Sequence, residues 1–132
     1  HDNTVICAPT IGQFAALFAL TEEPDKNYSE MFLSEFHKRR QLMLERLEEL
    51  KEFFEVQKPN GAYYVFPRYK IPGKNSIDFA LDLLYEGRVI TIPGSPFGEG
   101  GENHIRLSFA GEEDEINESF DRLEKYFRNI RQ

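Results

Sequence analysis

Cysteine occurs once in the 132-residue chain, at Cys7, so no internal disulfide can form and a reducing, cytoplasmic setting is expected. Long apolar runs are missing too. None approaches the roughly 20 residues that cross a bilayer, so no membrane partner is expected. The start shows no basic segment leading into an apolar one, the pattern of a secretory leader. Positive charge is scarce: 16 Lys and Arg face 23 Asp and Glu. The net charge of −7, with no basic stripe to offset it, argues against a nucleic-acid partner. His1, His37, His104 and Cys7 are scattered without paired-ligand spacing, so no metal site is expected. His37 reads as a surface residue of a helix, and His104 as a strand-end residue that can share the face of Arg106. No G-x-S-x-G elbow frames a serine or cysteine nucleophile. An initiating Met is absent as well. The chain opens on His1 and enters Val5-Ile6-Cys7-Ala8 at once, which reads as a cut through a longer protein.

What is present belongs to one folded domain. The apolar fraction is 40%, and 12 Phe with 6 Tyr exclude a disordered chain. Ile11 to Leu20 is apolar on nearly every side, which on a helix means burial all round. Thr21 to Lys26, with Pro24, reads as a break. From about Tyr28 to Phe54, the residues Tyr28, Met31, Phe32, Phe36, Met43, Leu47, Leu50 and Phe54 form one helical stripe, widened around Arg39 and Arg40. Asn27 is its expected N-cap. Such a helix runs roughly 40 Å at about 1.5 Å per residue, long enough to brace a second domain.

Strands are expected at Phe54–Lys58 and Ala62–Pro67, paired as a hairpin through the turn Pro59-Asn60-Gly61. Ser76 is placed as the cap of a helix from Ile77 to Glu86 that stops at Gly87. Glu112 to about Ile130 carries Ile116, Phe120, Leu123, Phe127 and Ile130 on one face, with acidic residues in its first turn. It should pack on the apolar face of the preceding strand. The fold class predicted is α+β: a small three- to four-stranded, mostly antiparallel sheet with helices on one face, plus a long N-terminal helix.

The most informative stretch is Gly87 to Ala110. Two short apolar runs, Val89–Ile92 and Ile105–Phe109, flank a loop rich in Gly and Pro, Pro93 to His104. A long ordered loop usually has a task. This one fits neither the G-x-G-x-x-G nor the Walker pattern, and it leads into a strand, with no helix N-terminus at hand for an anion. A structural or substrate-lining loop is the better reading. In the second strand Ile105, Leu107 and Phe109 alternate with Arg106 and Ser108, which puts Arg106 on the open face. On spacing alone it is either a surface arginine paired with a glutamate or a bidentate clamp for a carboxylate.

Three motifs in order, Gly61-Ala-Tyr-Tyr-Val-Phe66, Val89-Ile-Thr-Ile-Pro-Gly94 with Phe97-Gly98, and His104-Ile-Arg-Leu-Ser-Phe-Ala110, resemble the C-terminal part of class I/II, fold-type I aminotransferases. Ala8-Pro-Thr-Ile-Gly-Gln13 resembles the family segment that joins the large domain to the small one. The resemblance implies a pyridoxal phosphate enzyme that moves an amino group between an amino acid and a 2-oxo acid. It implies that Arg106 binds the substrate α-carboxylate and orients the amine toward the cofactor, with Ser95 and Phe97 lining the substrate side. It also implies a boundary: residues 1–26 as the tail of a large domain and linker, and residues 27–132 as the small domain, with a connecting helix of about 27–53. The partners implied are the substrate, the protein's own large domain and a second copy in a homodimer. The family's cofactor lysine belongs upstream, and Lys26, Lys38, Lys51, Lys58, Lys70, Lys74 and Lys125 match no such motif. This piece by itself is therefore expected to hold no cofactor, to contain no catalytic residue and to be inactive. Two other readings stand beside it: a carbon–sulfur lyase of the same family, and a stand-alone interaction module.

Overall fold

The computed structural model describes residues 8–21 and 26–131, and in Lys26, Asn27 and Tyr28 the backbone alone. The expectations for His1, Cys7, the run from Val5, the break at Pro24 and the side chains of Asn27 and Tyr28 lie outside the described residues. The chain divides into two compact units, His1–Ser34 and Glu35–Gln132.

The first unit holds α1 (Thr10–Thr21) and the first part of α2 (Lys26–Glu49). The Ile11–Leu20 run is apolar on nearly every side, but little else in the chain is available to surround it, and no residue of α1 is buried. An apolar sequence can ask for a partner surface without supplying one. In α2, Met31 and Leu33 are exposed, and its stripe turns into the core from Met43 and Leu47 onward. The helix stops at Glu49, not near Phe54. Leu50 and Phe53 instead make tight bonds to the carbonyls of Leu47 and Leu50, and Phe54 opens a strand. The three-and-four spacing ran on because Leu50 and Phe54 enter the same core from a turn and a strand. The wide place in the stripe has its own explanation. Arg39 bonds the Ala110 carbonyl at 2.9 Å and the Glu112 carboxylate at 3.0 Å, and Arg46 bonds Asp121 at 2.6 Å.

The strands are β1 (Phe54–Glu55), β2 (Tyr64–Val65), β3 (Arg68–Tyr69), β4 (Ile92–Pro93) and β5 (Ile105–Ser108). They form an antiparallel three-stranded sheet of order β2-β5-β4 and a two-stranded piece, β1-β3. The expected hairpin between Phe54–Lys58 and Ala62–Pro67 does not form. Phe54 pairs with Tyr69 and Glu55 with Arg68, while Tyr64 pairs with Ser108 and Val65 with Leu107. The stretch from Tyr63 to Tyr69 follows one register along the stretch from Asn103 to Phe109. Phe109 N donates to Tyr63 O at 3.0 Å, Ile105 N to Pro67 O at 3.1 Å, and Tyr69 N to Asn103 O at 2.8 Å. Pro67 has no N–H to return, which interrupts the ladder and separates β2 from β3. The chain reverses with Ala62, not Gly61, in the left-handed region, at φ 58°. Long-range pairing has overridden a good local turn signal.

Helix α3 (Ser76–Tyr85) is capped by Asn75, whose side chain accepts from Asp78 N at 2.9 Å. Ser76, expected as the cap, is the first helical residue and is fully buried. Both residues have cap chemistry, and only the entry angle of the chain distinguishes them. Helix α4 (Glu113–Ile130) starts with a capping box, in which Glu112 N donates to Glu115 at 3.0 Å. Its Ile116, Phe120, Leu123 and Phe127 join Ile105, Leu107 and Phe109 of the sheet, Phe79 and Leu83 of α3, and Leu47 of α2 in one core. Ile130 is left at the surface. The architecture is α+β, with helices on one face of the sheet. Among the described residues no helix is long and apolar enough to cross a membrane.

Burial of this kind sets a mutational contrast. Leu47→Ala, at a site 1% exposed, should destabilise the chain by about 2–5 kcal/mol in chemical denaturation. Ile90→Ala, at a site 81% exposed, should change it by less than about 0.5 kcal/mol. Equal effects would mean that the core is elsewhere.

Candidate functional site

The ladder sorts the side chains. Val65, Ile105, Leu107 and Phe109 are buried, whereas Tyr64, Arg106 and His104 are half-buried and Phe66, Arg68 and Ser108 exposed. The last six share the face away from the core, because partners across an antiparallel ladder point the same way. Ile92, directly opposite Arg106 on β4, shares it too.

Arg106 lies over two aromatic rings, with its guanidinium carbon 4.3 Å from the centroid of Tyr64 and 5.1 Å from that of Phe97. Cation–π contacts of this kind are worth about 0.5–2 kcal/mol each and consume none of the guanidinium's fork of donors. No hydrogen bond or ion pair joins Arg106 to another of the described residues. In an acidic chain this is informative. Arg39 and Arg46 both hold carboxylates, and the glutamate partner that a surface reading gives Arg106 is not found. Around the cation the rings continue. Phe97 meets Phe66 edge-on at 5.6 Å, and Phe66 stacks on His104 at 5.0 Å with 9° between the planes. His104 thus shares the Arg106 face as well as standing at the strand end. The Tyr64 phenol is pushed up, first by the neighbouring Tyr63 and then by burial, and the Arg106 charge pulls the other way. An open cleft of about 730 Å³ adjoins these residues, lined in part by Lys58, Tyr64, Phe66, Arg68 and His104. Such a face can bind the planar, negatively charged end of a small molecule against aromatic walls.

The loop beside it is tightly folded. Gly94 N donates to His104 O at 2.9 Å, closing its base, and Ser95–Phe97 and Glu99–Gly101 each make a 3-10 turn. Gly98, at φ 112°, links the turns in a conformation that other residues avoid. Gly94 and Gly101 touch back to back: a Cβ on either would lie 2.0 Å from the other's carbonyl oxygen. That fold carries the Phe97 ring to Arg106. Ser95 is placed differently. Its amide donates to Ser76 Oγ at 3.1 Å, on α3.

A helix N-terminus was not expected near this loop, yet the loop packs on the start of α3. The anion that meets it is the chain's own Glu102, whose Oε1 accepts from Ser76 N at 2.6 Å and from Asn103 N at 3.1 Å. Those two amides, Asn103 first, hold the Glu102 carboxyl below its ordinary 4.5, against a smaller upward effect of burial. Tyr64, Phe66 and Glu102 were not expected as site residues, and Ser76 was expected only as a helix cap. For Tyr64 and Phe66 the signal was available, since they are the alternate residues of a strand already expected. For Ser76 and Glu102, 26 positions apart, there was none. Among the described residues no group of three or more His, Cys, Asp or Glu could hold a metal ion.

A family model described as aminotransferase class I and II matches residues 2–123. The chain is 38% identical over 122 residues to an aspartate aminotransferase of Pyrococcus abyssi, covering 92% of this chain and 31% of the relative. It is 40% identical over 127 residues to a (5-formylfuran-3-yl)methyl phosphate transaminase of Methanocaldococcus jannaschii, covering 96% and 32%. Among solved structures, an alanine aminotransferase of Pyrococcus furiosus superposes with a TM-score of 0.83 at 35% identity, covering 93% of this chain and 31% of that one. An aromatic aminotransferase of Pyrococcus horikoshii superposes with a TM-score of 0.82 at 34% identity, covering 98% and 34%. The chain therefore spans about a third of the length of the relatives it matches.

Two measurements test this geometry. Gly94→Ala should cost about 1–3 kcal/mol, because backbone at 2.0 Å cannot yield to a methyl group, and should lift Phe97 from Arg106. A crystal structure of that variant with the contact intact would count against the tight loop. Because the Glu102 carboxyl is lowered, its contribution is full above its unfolded value and fades as pH falls through the lower folded one. Denaturation followed from roughly pH 6 to pH 3 should show a steeper loss in the wild type than in Glu102→Gln. Identical slopes would show that Glu102 is not bound as described.

Proposed function

The chain belongs to the class I and II aminotransferases, and on that footing we propose that it is the small-domain part of an enzyme that transfers an amino group between an amino acid and a 2-oxo acid. One observation carries the reading. A half-buried guanidinium, set on aromatic rings and without an anionic partner among the described residues, sits at the position where the family resemblance puts the substrate's carboxylate ligand. A planar fork presented edge-on receives a carboxylate through two parallel hydrogen bonds, which fixes the orientation of the whole amino acid as well as its affinity. The aromatic rings exclude water from one side of that pair and strengthen it. Phe97 lines the substrate side directly. Ser95 serves the same side by holding the loop.

Pyridoxal phosphate is the cofactor of the whole enzyme in this reading, where it supplies the electron sink for the chemistry at the amino acid's α-carbon. The side chains in ring contact around Arg106, namely Tyr64, Phe66, Phe97 and His104, supply neither an amine nor a carboxylate, and Lys58 on the adjoining cleft matches no cofactor-lysine motif. They do not fit the cofactor by themselves, and this chain's part is to bind and orient the substrate. Residues 1–26 then form the end of the large domain and a linker, 27–132 the small domain, and the enzyme works in the cytoplasm as a homodimer.

Arg106→Ala in the full-length protein should lower kcat/KM for the amino donor by about 100-fold, or about 2.7 kcal/mol. Arg106→Lys should recover only part of this, because an ammonium lacks the fork. Visible absorbance should report cofactor binding unchanged in both. Amino-acid affinity that survives Arg106→Ala would sink the assignment.

A further inference from the structure

We propose that Glu102 and Ser76 are positioning residues for Arg106, anchoring both arms of the Pro93–His104 loop to the start of α3 so that Phe97 is held against the guanidinium. The proposal rests on the substrate-binding role given to Arg106 above. It begins with two hydrogen bonds at one residue. The backbone N–H of Ser76 donates to Glu102 Oε1 at 2.6 Å, and its side-chain Oγ accepts from Ser95 N at 3.1 Å. Ser76 is fully buried, so neither group has ready access to water in place of these partners. The incoming arm of the loop is thereby fixed at Ser95, two residues before Phe97. The outgoing arm is fixed at Glu102, two residues before His104.

The outgoing arm is also braced within itself. Glu102 accepts a second bond from Asn103 N, and its carbonyl lies 2.9 Å from His104 Nδ1. Asn103 takes the left-handed conformation, φ 62°, that lets one carboxylate oxygen serve both amides. His104 then stacks on Phe66, Phe66 meets Phe97, and Phe97 lies over Arg106. A continuous set of contacts therefore runs from the first turn of α3 to the cation by two routes. Phe97 itself is 52% exposed and touches Phe66 and Arg106, so its place depends largely on the backbone that carries it. The depressed acidity of Glu102 agrees with a carboxylate held by amides at neutral pH.

The test uses the full-length protein with Glu102→Ala, Ser76→Ala and Glu102→Gln. Hydrogen exchange at the Ser95 and Phe97 amides should quicken about tenfold or more in the two alanine variants, while the Leu107 amide in β5 is unaffected. In the same variants KM for the amino donor should rise about tenfold with kcat within about twofold, a split that general destabilisation does not produce. Glu102→Gln keeps an acceptor oxygen and should recover most of the loss in both readouts. Unchanged loop exchange in Glu102→Ala and Ser76→Ala would overturn the anchoring, whatever the substrate proves to be. Quickened exchange with an unaltered KM would overturn the link to Arg106. A wild-type protein that binds no amino acid would instead refute the functional reading on which the proposal rests, and leave the exchange measurement to judge the anchor.

Discussion

One antiparallel register, running from Tyr63 against Phe109 to Tyr69 against Asn103, is the constraint on which the rest depends. Side-chain period in a strand is two, so that register divides the residues without remainder. Val65, Ile105, Leu107 and Phe109 go to the helices, and Tyr64, Phe66, His104 and Arg106 go to the open face. A slip of the Arg106 strand by one residue would bury the guanidinium and expose Ile105, Leu107 and Phe109. Each buried aliphatic or aromatic group is worth about 1.5–3 kcal/mol, so the core enforces the register and the register places the cation.

Electrostatically the molecule treats its arginines in two ways. Arg39 and Arg46 are absorbed into the structure, each bonded to carboxylates that tie α2 to α4. Arg106 is supported by rings instead. A ring can fix the direction of a guanidinium without neutralising it, which a glutamate cannot do. The acidic residue nearest in sequence, Glu102, is bonded to the amides of Ser76 and Asn103. Among the described residues no carboxylate is paired with Arg106, and that of Glu102 is held by amides.

The loop shows how a segment with little apolar content becomes ordered. Its turns are closed by its own backbone, Gly94 and Gly101 permit a contact no other residue allows, and its arms are bonded to α3. Much of this could be read from the chain only in outline. A long ordered loop beside a strand bearing Arg106 was legible. The partner helix was not, because the bond from Ser76 to Glu102 joins a helix start to a loop end with no motif between them. The hairpin expected around Pro59-Asn60-Gly61 was misread for a related reason. Turn chemistry is local, but the strand it was meant to return had a longer and better ladder available with β5.

The sequence by itself determined the α+β class, the helical period of α4 with its acidic first turn, the alternation that sets Arg106 apart from Ile105 and Leu107, and the resemblance of three ordered motifs to the aminotransferases. These are properties of short stretches, where period and cap chemistry act over a few residues. Tertiary structure alone decided that Phe54 pairs with Tyr69, that Asn75 and not Ser76 caps α3, that Tyr64 and Phe97 support the guanidinium, and that Glu102 meets the start of α3. Each of those is a choice among chemically equivalent local options. It is settled by which distant surface the core brings near, a quantity that no window of neighbouring residues contains.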